Sequence, residues 1–140
     1  MVVDGADDSL TTVLDFATAL DGDDFERVAR HLHGDVVYVI GGVTHRGPDA
    51  VVESYRQGSA TARRIFDQVE FTHSIVSRDN DTFRVDFSDR LTAGGEAFDH
   101  HSVQDITVDR HRLVTRIVDQ PVDGQRTRLD EFMSRHARRR

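Results

Sequence analysis

The sequence contains no cysteine, no tryptophan and no long apolar run, and these absences restrict what the protein can be. Without cysteine there is no disulfide framework and no thiolate chemistry, which favours a reducing, cytoplasmic location. No segment approaches the roughly 18 consecutive apolar residues of a membrane-spanning helix, so we expect no membrane partner. The first residues also lack the basic patch and apolar run of a secretory signal. A chain of 140 residues suits one domain, 1–140, with one hydrophobic core.

Basic residues are fewer than acidic ones. The chain has 18 basic and 25 acidic residues, for a formal net charge of −7. A nucleic-acid-binding protein normally carries a basic stripe, so we expect no nucleic-acid partner. The sequence also lacks a G-x-S-x-G motif, a phosphate-binding glycine loop and a dinucleotide fingerprint, which argues against those chemistries.

Helical periodicity dominates the first part of the chain. Ser9 is a suitable N-cap for a helix over residues 9–20, and the Asp-Gly-Asp-Asp turn after it starts a second helix that ends at Gly34. A β-branched strand over 35–40 follows. A turn at 46–49 then leads into a third helix that contains Tyr55.

Period-two alternation dominates the rest. The alternating runs are 68–77, 82–92, 96–108 and 112–119. Short turns connect them, which predicts an antiparallel meander of four strands, and a last helix follows over 125–136. The fold class is therefore α+β.

The hairpin turns predict a register for this sheet. The Gly94-Gly95 loop places Leu91 opposite Phe98, Asp89 opposite His100, Phe87 opposite Ser102, Val85 opposite Gln104, Arg90 opposite Asp99 and Arg84 opposite Asp105. The turn at 79–81 places His73 opposite Phe87 and Phe71 opposite Asp89. The last hairpin, which pairs Val108 with Leu113, sets Asp105 against Arg116, Gln104 against Ile117 and Ser102 against Asp119. Opposite charges that face each other are worth about 0.2–1 kcal/mol per pair, and they support this register.

Polar side chains then fall on a face that should be apolar. They are His73, Asp89, His100, Ser102, Gln104 and Asp119. A buried, unpaired carboxylate costs several kcal/mol, so these groups must pair with one another or line a wet cavity. Most of them gather toward one end of the sheet, which predicts a pocket with an apolar floor and a polar mouth. The other face carries the charge pairs and an apolar patch of Val103, Val114 and Val118.

The pair of Asp89 and His100 is the strongest candidate for chemistry. A carboxylate beside an imidazole fixes its tautomer and raises its pKa, as in general acid–base catalysis. The alternative is a structural salt bridge. Asp119 is a possible second acid or base, although it also fits a simple turn toward the last helix.

Other groups in the predicted pocket have weaker signals. Tyr38 and Tyr55 are candidate hydroxyl donors, or buried rings with a hydroxyl at the rim. His73, His100 and the carboxylates contain a two-His-one-carboxylate set, but no ligand spacing supports a metal site. We therefore expect no metal and no cofactor, and a metal-dependent enzyme is a third possibility.

Three stretches resemble the nuclear transport factor 2-like superfamily, in particular its SnoaL-like branch. They are FATALDGDDFERVARHLHGDVVY (16–38), HRGPDAVVESY (45–55) and SVQDITVDRHRLV (102–114). The resemblance implies a cone-shaped, curved antiparallel sheet with the N-terminal helices packed on its concave face. It also implies a pocket between sheet and helices, and commonly a homodimer through the outer sheet face. Members include cofactor-free isomerases, cyclases and dehydratases as well as binding domains without chemistry.

The chain departs from two patterns of that superfamily. Ketosteroid isomerases place a catalytic aspartate near the end of the first strand, where this chain has Val39-Ile40-Gly41. Cyclase-like members often have an acid where this chain has Gln104. Any chemistry must therefore come from Asp89, His100 and Asp119.

The sequence leads to a hypothesis with one main alternative. A cytoplasmic protein encloses a small, largely apolar carbonyl or hydroxyl compound, and His100, oriented by Asp89, acts as the base of an isomerase, cyclase or dehydratase. Tyr38, Ser102 or Gln104 would bind the developing oxyanion. The remaining pocket residues would be Tyr55, Phe71, His73, Phe87 and Phe98. The alternative is a non-catalytic ligand-binding or dimerisation module.

Overall fold

Helices occupy most of the first half of the chain, and long strands occupy most of the second. The computed structural model describes the backbone of residues 5–136 and the side chains of residues 8–136. The helices are α1 (Gly5–Asp21), α2 (Phe25–Arg30), α3 (Pro48–Ile65) and α4 (Gln125–His136). The strands are β1 (Leu32–Ile40), β2 (Val43–Arg46), β3 (Gln68–Asp79), β4 (Thr82–Ala93), β5 (Glu96–Val108) and β6 (Val114–Gln120). None of the helices in this described part is both long and apolar enough to cross a membrane.

The strands form one mixed sheet in the order β2-β1-β6-β5-β4-β3. The predicted antiparallel meander of β3, β4, β5 and β6 is confirmed. The expectation of a wholly antiparallel sheet is wrong, because β1 pairs with β6 in parallel. Nothing in the sequence fixes this pairing, since β2, α3 and the first three strands of the meander separate β1 from β6 along the chain.

Several features of the first half differ from the prediction. Helix α1 begins at Gly5, so Ser9 lies inside the helix and is not its N-cap. The second helix ends at Arg30, and Leu32 already belongs to β1, where it pairs with Val114 of β6. Burial of Leu32 against the sheet therefore overrides its helical spacing. Strand β2 was not predicted; it returns along β1 through Gly41 and Gly42, whose φ angles of 57° and 79° suit a tight hairpin turn.

The predicted register is confirmed for two of the three hairpins. Leu91 lies opposite Phe98 and Asp89 opposite His100, as the Gly94-Gly95 turn requires. His73 lies opposite Phe87 in the β3–β4 pair.

The third hairpin is shifted, because an irregularity after Thr107 pairs Val108 with Val114. Gln104 consequently faces Asp119, and the predicted facing of Ser102 with Asp119 is wrong. The predicted facing of Asp105 with Arg84 is confirmed, but its predicted facing with Arg116 is wrong. Asp105 accepts hydrogen bonds from Arg84 and Gln120 instead. The same shift turns Val114 into the core, where it is fully buried.

Helices α1, α2 and α3 cover one face of the curved sheet. Their buried side chains, among them Val13, Phe16 and Val51, pack against Phe83 and Ile106 of the strands. Helix α4 covers the far end of the same sheet, where Phe132 stacks against neighbouring phenylalanine rings. The architecture is the α+β arrangement expected from the sequence. The space that remains between the two groups of packed residues contains the candidate site.

Candidate functional site: an acidic, aromatic-walled cavity

A cavity of about 260 Å³ lies between the sheet and the helices. Its apolar wall consists of Leu20, Phe25, Ile40, Ala62, Phe71 and Phe87, together with the rings of Tyr38 and Tyr55. Its polar lining consists of Asp21, Asp23, Ser54, Ser59, Asp89, Ser102 and Gln104. The charged lining residues are all acidic. The cavity is small beside the roughly 300–1,000 Å³ typical of sites for drug-sized ligands, so it suits a compact molecule.

One end of the cavity is a tyrosine pair joined by an amide. The rings of Tyr38 and Tyr55 stack with centroids 4.9 Å apart. The Tyr55 hydroxyl donates to Oε1 of Gln104 at 2.8 Å, and Nε2 of Gln104 donates to the Tyr38 hydroxyl oxygen at 2.8 Å. Burial raises the pKa of both tyrosines well above the usual range. The two groups are therefore neutral hydroxyls near neutral pH, able to hydrogen-bond a ligand but not to act as bases.

Asp119 lies next to this end of the cavity, on the neighbouring strand β6. It faces Gln104 across the β5–β6 pair. Burial raises the pKa of Asp119, and the neighbouring amide of Gln104 opposes part of that rise. Asp119 is not among the lining residues, whereas its cross-strand neighbour Gln104 is.

A second carboxylate–imidazole pair lies at the other end of the polar lining. Asp21, the last residue of α1, accepts a 2.6 Å hydrogen bond from Nδ1 of His73 on β3. Both side chains are largely buried, with exposed fractions of 19% for Asp21 and 16% for His73. Burial raises the pKa of Asp21, whereas the bond to His73 lowers it. His73 lies behind Asp21 rather than on the cavity surface.

Asp89 lines the cavity, and its side chain has no hydrogen-bond partner among the described residues. Burial, reinforced by the negative charge of Asp21, raises the pKa of Asp89 to about 7. A carboxyl group with this pKa exists in both protonation states near neutral pH. That property suits a general acid or base.

His100 occupies the predicted register position but not the predicted electrostatic role. It faces Asp89 across β4 and β5, yet no hydrogen bond joins the two side chains in the described structure. The expectation that Asp89 raises the pKa of His100 is wrong: burial lowers it, and the charges of His101 and Arg126 lower it further. The His100 ring lies beside Phe98, with centroids 6.3 Å apart, and its Nδ1 is buried without a hydrogen-bond partner among the described residues.

The rim of the cavity is fixed by the turn between α1 and α2. Asp23 adopts a left-handed conformation with φ 55°, which is uncommon for a residue other than glycine. Its carboxylate accepts bonds from Ser59 at 2.8 Å and from Arg63 at 2.9 Å, both on α3. The Arg63 guanidinium also lies over the Phe71 ring, 5.1 Å from its centroid. These contacts tie the turn to α3 and β3 and so hold Asp21 in place.

The structure brings most of the predicted site residues to one cavity. Among its lining residues are Tyr38, Tyr55, Phe71, Phe87, Asp89, Ser102 and Gln104, whereas His73, Phe98, His100 and Asp119 lie outside the lining. Sequence reasoning missed Asp21, which it assigned to a helix-stopping turn. One signal was available: a carboxylate at the carboxyl end of a helix meets the negative end of the helix dipole, so an aspartate there is unfavourable without a partner. No three His, Cys, Asp or Glu side chains within the described ranges converge to hold a metal ion.

No protein-family model and no curated protein matches this sequence, but solved structures match its fold. TerC co-crystallised with polyporic acid has a TM-score of 0.67 at 16% identity, covering 90% of this chain and 98% of that chain. A protein described as a SnoaL-like polyketide cyclase, from Shewanella putrefaciens, has a TM-score of 0.66 at 13% identity, covering 89% and 97%. A LEH-like epoxide hydrolase from M. tuberculosis has a TM-score of 0.56 at 24% identity, covering 79% and 80%.

Two further matching structures are described as NTF2-like proteins. The chain therefore has the nuclear transport factor 2-like fold. Within that fold its similarity to SnoaL-like proteins agrees with the resemblance read from the sequence. At these identities the match defines the architecture. The activity must be argued from the cavity itself.

Proposed function

We propose that the protein transfers a proton on a small, largely apolar carbonyl or hydroxyl compound without a cofactor. The observation that carries this proposal is the position of Asp89. It is a carboxyl group with a pKa of about 7, without a hydrogen-bond partner in the described structure, on the wall of an otherwise largely apolar cavity. General acid–base catalysis requires a group poised in this way near the reacting atom.

The other polar groups take supporting roles in this proposal. His73 holds Asp21 in place through a hydrogen bond. The negative charge of Asp21 helps to raise the pKa of Asp89, so that Asp89 can gain and lose a proton near neutral pH. As a base, Asp89 takes a proton from the carbon beside a carbonyl group. The C–H electron pair moves into an enolate whose oxygen accepts hydrogen bonds from the tyrosine end of the cavity. Return of the proton from Asp89 to another carbon gives an isomer. In a substrate with a β-hydroxyl group, the enolate instead breaks the carbon–oxygen bond, and the departing hydroxide takes the proton from Asp89 to leave as water.

The comparisons support a small organic ligand. TerC holds polyporic acid, and the M. tuberculosis protein is described as an epoxide hydrolase, so proteins of this fold bind and transform such molecules. The sequence favoured His100 as the base, whereas the observed positions favour Asp89, which reaches the cavity surface. We further propose that the protein works in the cytoplasm as a homodimer.

The proposal is tested by deuterium exchange into β-tetralone, a neutral ketone with acidic α-hydrogens. In D₂O at neutral pH we expect the protein to accelerate α-exchange, measured by NMR, above the rate in buffer alone. D89N should reduce the acceleration about 100-fold or more, and D21N and H73Q by smaller factors, because they alter the basicity of Asp89 rather than remove it. D99N is the matched control, since Asp99 bonds Arg90 on the opposite face of the sheet.

A rate that D89N leaves unchanged would refute Asp89 as the base. Loss of exchange in H100Q alone would restore the role that the sequence assigned to His100. If β-tetralone binds without any accelerated exchange, the protein is a ligand-binding module instead.

A further inference from the structure

We propose that the ligand of this cavity carries an alkylated ammonium group, which binds beside Asp89 and the rings of Phe71 and Phe87. The inference deepens the proposed function by naming a charged group on the carbonyl or hydroxyl compound. It rests on that function in one respect only, namely that the ligand occupies this cavity. It does not require any catalysis.

The lining of the cavity carries charge of one sign. Its charged residues are Asp21, Asp23 and Asp89, and no basic side chain is among the lining residues of the described structure. An anionic ligand would therefore meet only like charges, whereas a cation would be attracted. Between the sheet and the helices this attraction acts through protein rather than through bulk water alone, which strengthens it.

Two of these three carboxylates already have partners. Asp23 accepts a hydrogen bond from Arg63 at 2.9 Å, and Asp21 accepts one from His73 at 2.6 Å. The side chain of Asp89 neither accepts a hydrogen bond nor forms a salt bridge within the described part of the chain. Burial of an unpaired carboxylate is costly, so a positively charged partner is favoured at this position.

Aromatic rings flank the unpaired carboxyl group. Phe71 lies opposite Asp89 in the β3–β4 pair, and Phe87 precedes Asp89 on the same face of β4. All three residues line the cavity. The face of an aromatic ring attracts a cation within about 6 Å of its centroid. One part of the wall therefore offers both a carboxylate and aromatic rings to an ammonium group.

The Phe71 ring is already in contact with one cation. The Arg63 guanidinium lies 5.1 Å from the ring centroid but is not among the lining residues, so it contacts the ring from outside the cavity. Its charge is balanced by the bond to Asp23. The cavity side of the ring is left for the ligand.

The rest of the wall selects among ammonium groups. A primary ammonium group has three hydrogens, each of which needs an acceptor. The side chains of Leu20, Ile40 and Ala62 offer no acceptor, but they can pack against methyl groups. The expected ligand is therefore a compact molecule with a tertiary or quaternary ammonium group and a carbonyl or hydroxyl group.

The experiment compares two ligands of one shape. Choline carries a trimethylammonium group, and 3,3-dimethylbutan-1-ol carries a tert-butyl group in its place. The ratio of their dissociation constants, measured by ligand-observed NMR at neutral pH, reports the effect of the positive charge. We expect the wild-type protein to prefer choline about tenfold. Equal affinity for the two ligands, or a preference for the alcohol, would overturn the inference.

Aspartate variants locate the charge effect. D89N should remove most of the preference for choline, because asparagine keeps the shape of the side chain without its charge. D99N is the matched control, since Asp99 bonds Arg90 on the opposite face of the sheet. An equal loss of preference in both variants would assign it to the overall charge of the protein and overturn the inference.

Phenylalanine variants test the rings in the same way. F87L keeps an apolar side chain but removes the ring, so it should weaken choline binding about threefold and leave the affinity for the alcohol unchanged. F98L is the matched control, because Phe98 lies outside the lining. If F87L weakens binding of both ligands equally, the ring contributes apolar burial alone and its assigned role is wrong.

A second readout follows the proton of Asp89. A bound cation favours the carboxylate form, so choline should lower the pKa of Asp89 from about 7, and the neutral alcohol should not. NMR titration of ¹³C-labelled aspartate measures this pKa, and D89N identifies the signal. The charged and titratable groups around Asp89 are Asp21 of α1, Asp23 of the α1–α2 turn, Arg63 of α3, His73 of β3, and His100 and His101 of β5. A pKa of Asp89 that choline leaves unchanged would contradict binding beside this residue.

The two proposals fail separately. A preference for choline without accelerated exchange of β-tetralone would keep this inference and refute the proposed catalysis. Accelerated exchange of β-tetralone without a preference for choline would keep the catalysis and refute the ammonium group.

Discussion

Aspartate side chains in this protein differ widely in acidity because their surroundings differ. Asp15 is bonded by Arg27 and His31, and these partners lower its pKa to about 2. Asp89 is buried beside the charge of Asp21, and its pKa rises to about 7. The same chemical group is therefore a permanent anion on one side of α1 and a titrating acid in the cavity.

The raised pKa of Asp89 predicts a pH-dependent gain of stability in D89N. Between pH 3.8 and about 7 the unfolded chain is ionised at this position while the folded chain keeps its proton. The stability contributed by that proton is complete below pH 3.8 and is lost as pH rises through about 7. At about 1.4 kcal/mol per tenfold change in proton affinity, the loss is at most roughly 4 kcal/mol.

Denaturant unfolding of both proteins across this pH range measures the effect. The free energy of unfolding of D89N should increase relative to that of the wild type as pH rises, and D89N should be no more stable than the wild type in acid. D99N gives the baseline, because Asp99 is exposed and paired outside the cavity. An advantage of D89N that is equal at all pH values would indicate a packing effect and contradict the raised pKa.

Among the secondary-structure elements, α3 contains two glycines with different roles. Its backbone requires glycine at the N-cap, whereas a second glycine within the helix lowers its stability. Gly47, its N-cap, has φ 89° and ψ 158°, a conformation open essentially to glycine alone. Gly58 lies within the helix, where a side chain would meet nothing within 4 Å. The two positions therefore have opposite requirements in one helix.

These requirements predict opposite effects of alanine on stability. Gly47→Ala should lower the free energy of unfolding by about 1–3 kcal/mol through backbone strain. Gly58→Ala should raise it by about 0.5–1 kcal/mol, since glycine is a poor residue for a helix interior. Thermal unfolding of the two variants is sufficient to check the signs, and equal effects would show that backbone conformation is not what distinguishes them.

Element contacts also explain how far the sequence could predict the sheet and the site. Short turns fixed the β3–β4 and β4–β5 registers, which is why Asp89 and His100 were placed correctly opposite each other. The irregularity after Thr107 has no turn residue to announce it, so the contact of Gln104 with Asp119 could not be predicted. Asp21 was out of reach for the same reason, because its bond to His73 joins α1 to a strand far along the chain.

At the level of the whole molecule, the outer face of the sheet predicts a dimer. Alternation along the strands puts Val37 and Val39 of β1, Val103 of β5 and Val118 of β6 on this face, where all four are half-buried. The predicted patch keeps Val103 and Val118 but loses Val114 to the core. Such a face is suited to pairing with a second copy.

V118D should convert the proposed dimer to a monomer in light scattering after size-exclusion chromatography. V76D is the matched control, since Val76 is already 57% exposed near the end of β3. We expect the V76D variant to stay dimeric. A wild-type protein that is monomeric at all concentrations would refute the dimer.

The stacked tyrosine pair has a practical consequence for the molecule as a whole. Because the chain has no tryptophan and only two tyrosines, both in the candidate site, its near-ultraviolet fluorescence comes almost wholly from the cavity wall. Tyrosine fluorescence therefore reports directly on the state of the cavity. Ligand entry, ionisation of Asp89 and assembly of β1 on β6 during folding should each be visible without any label.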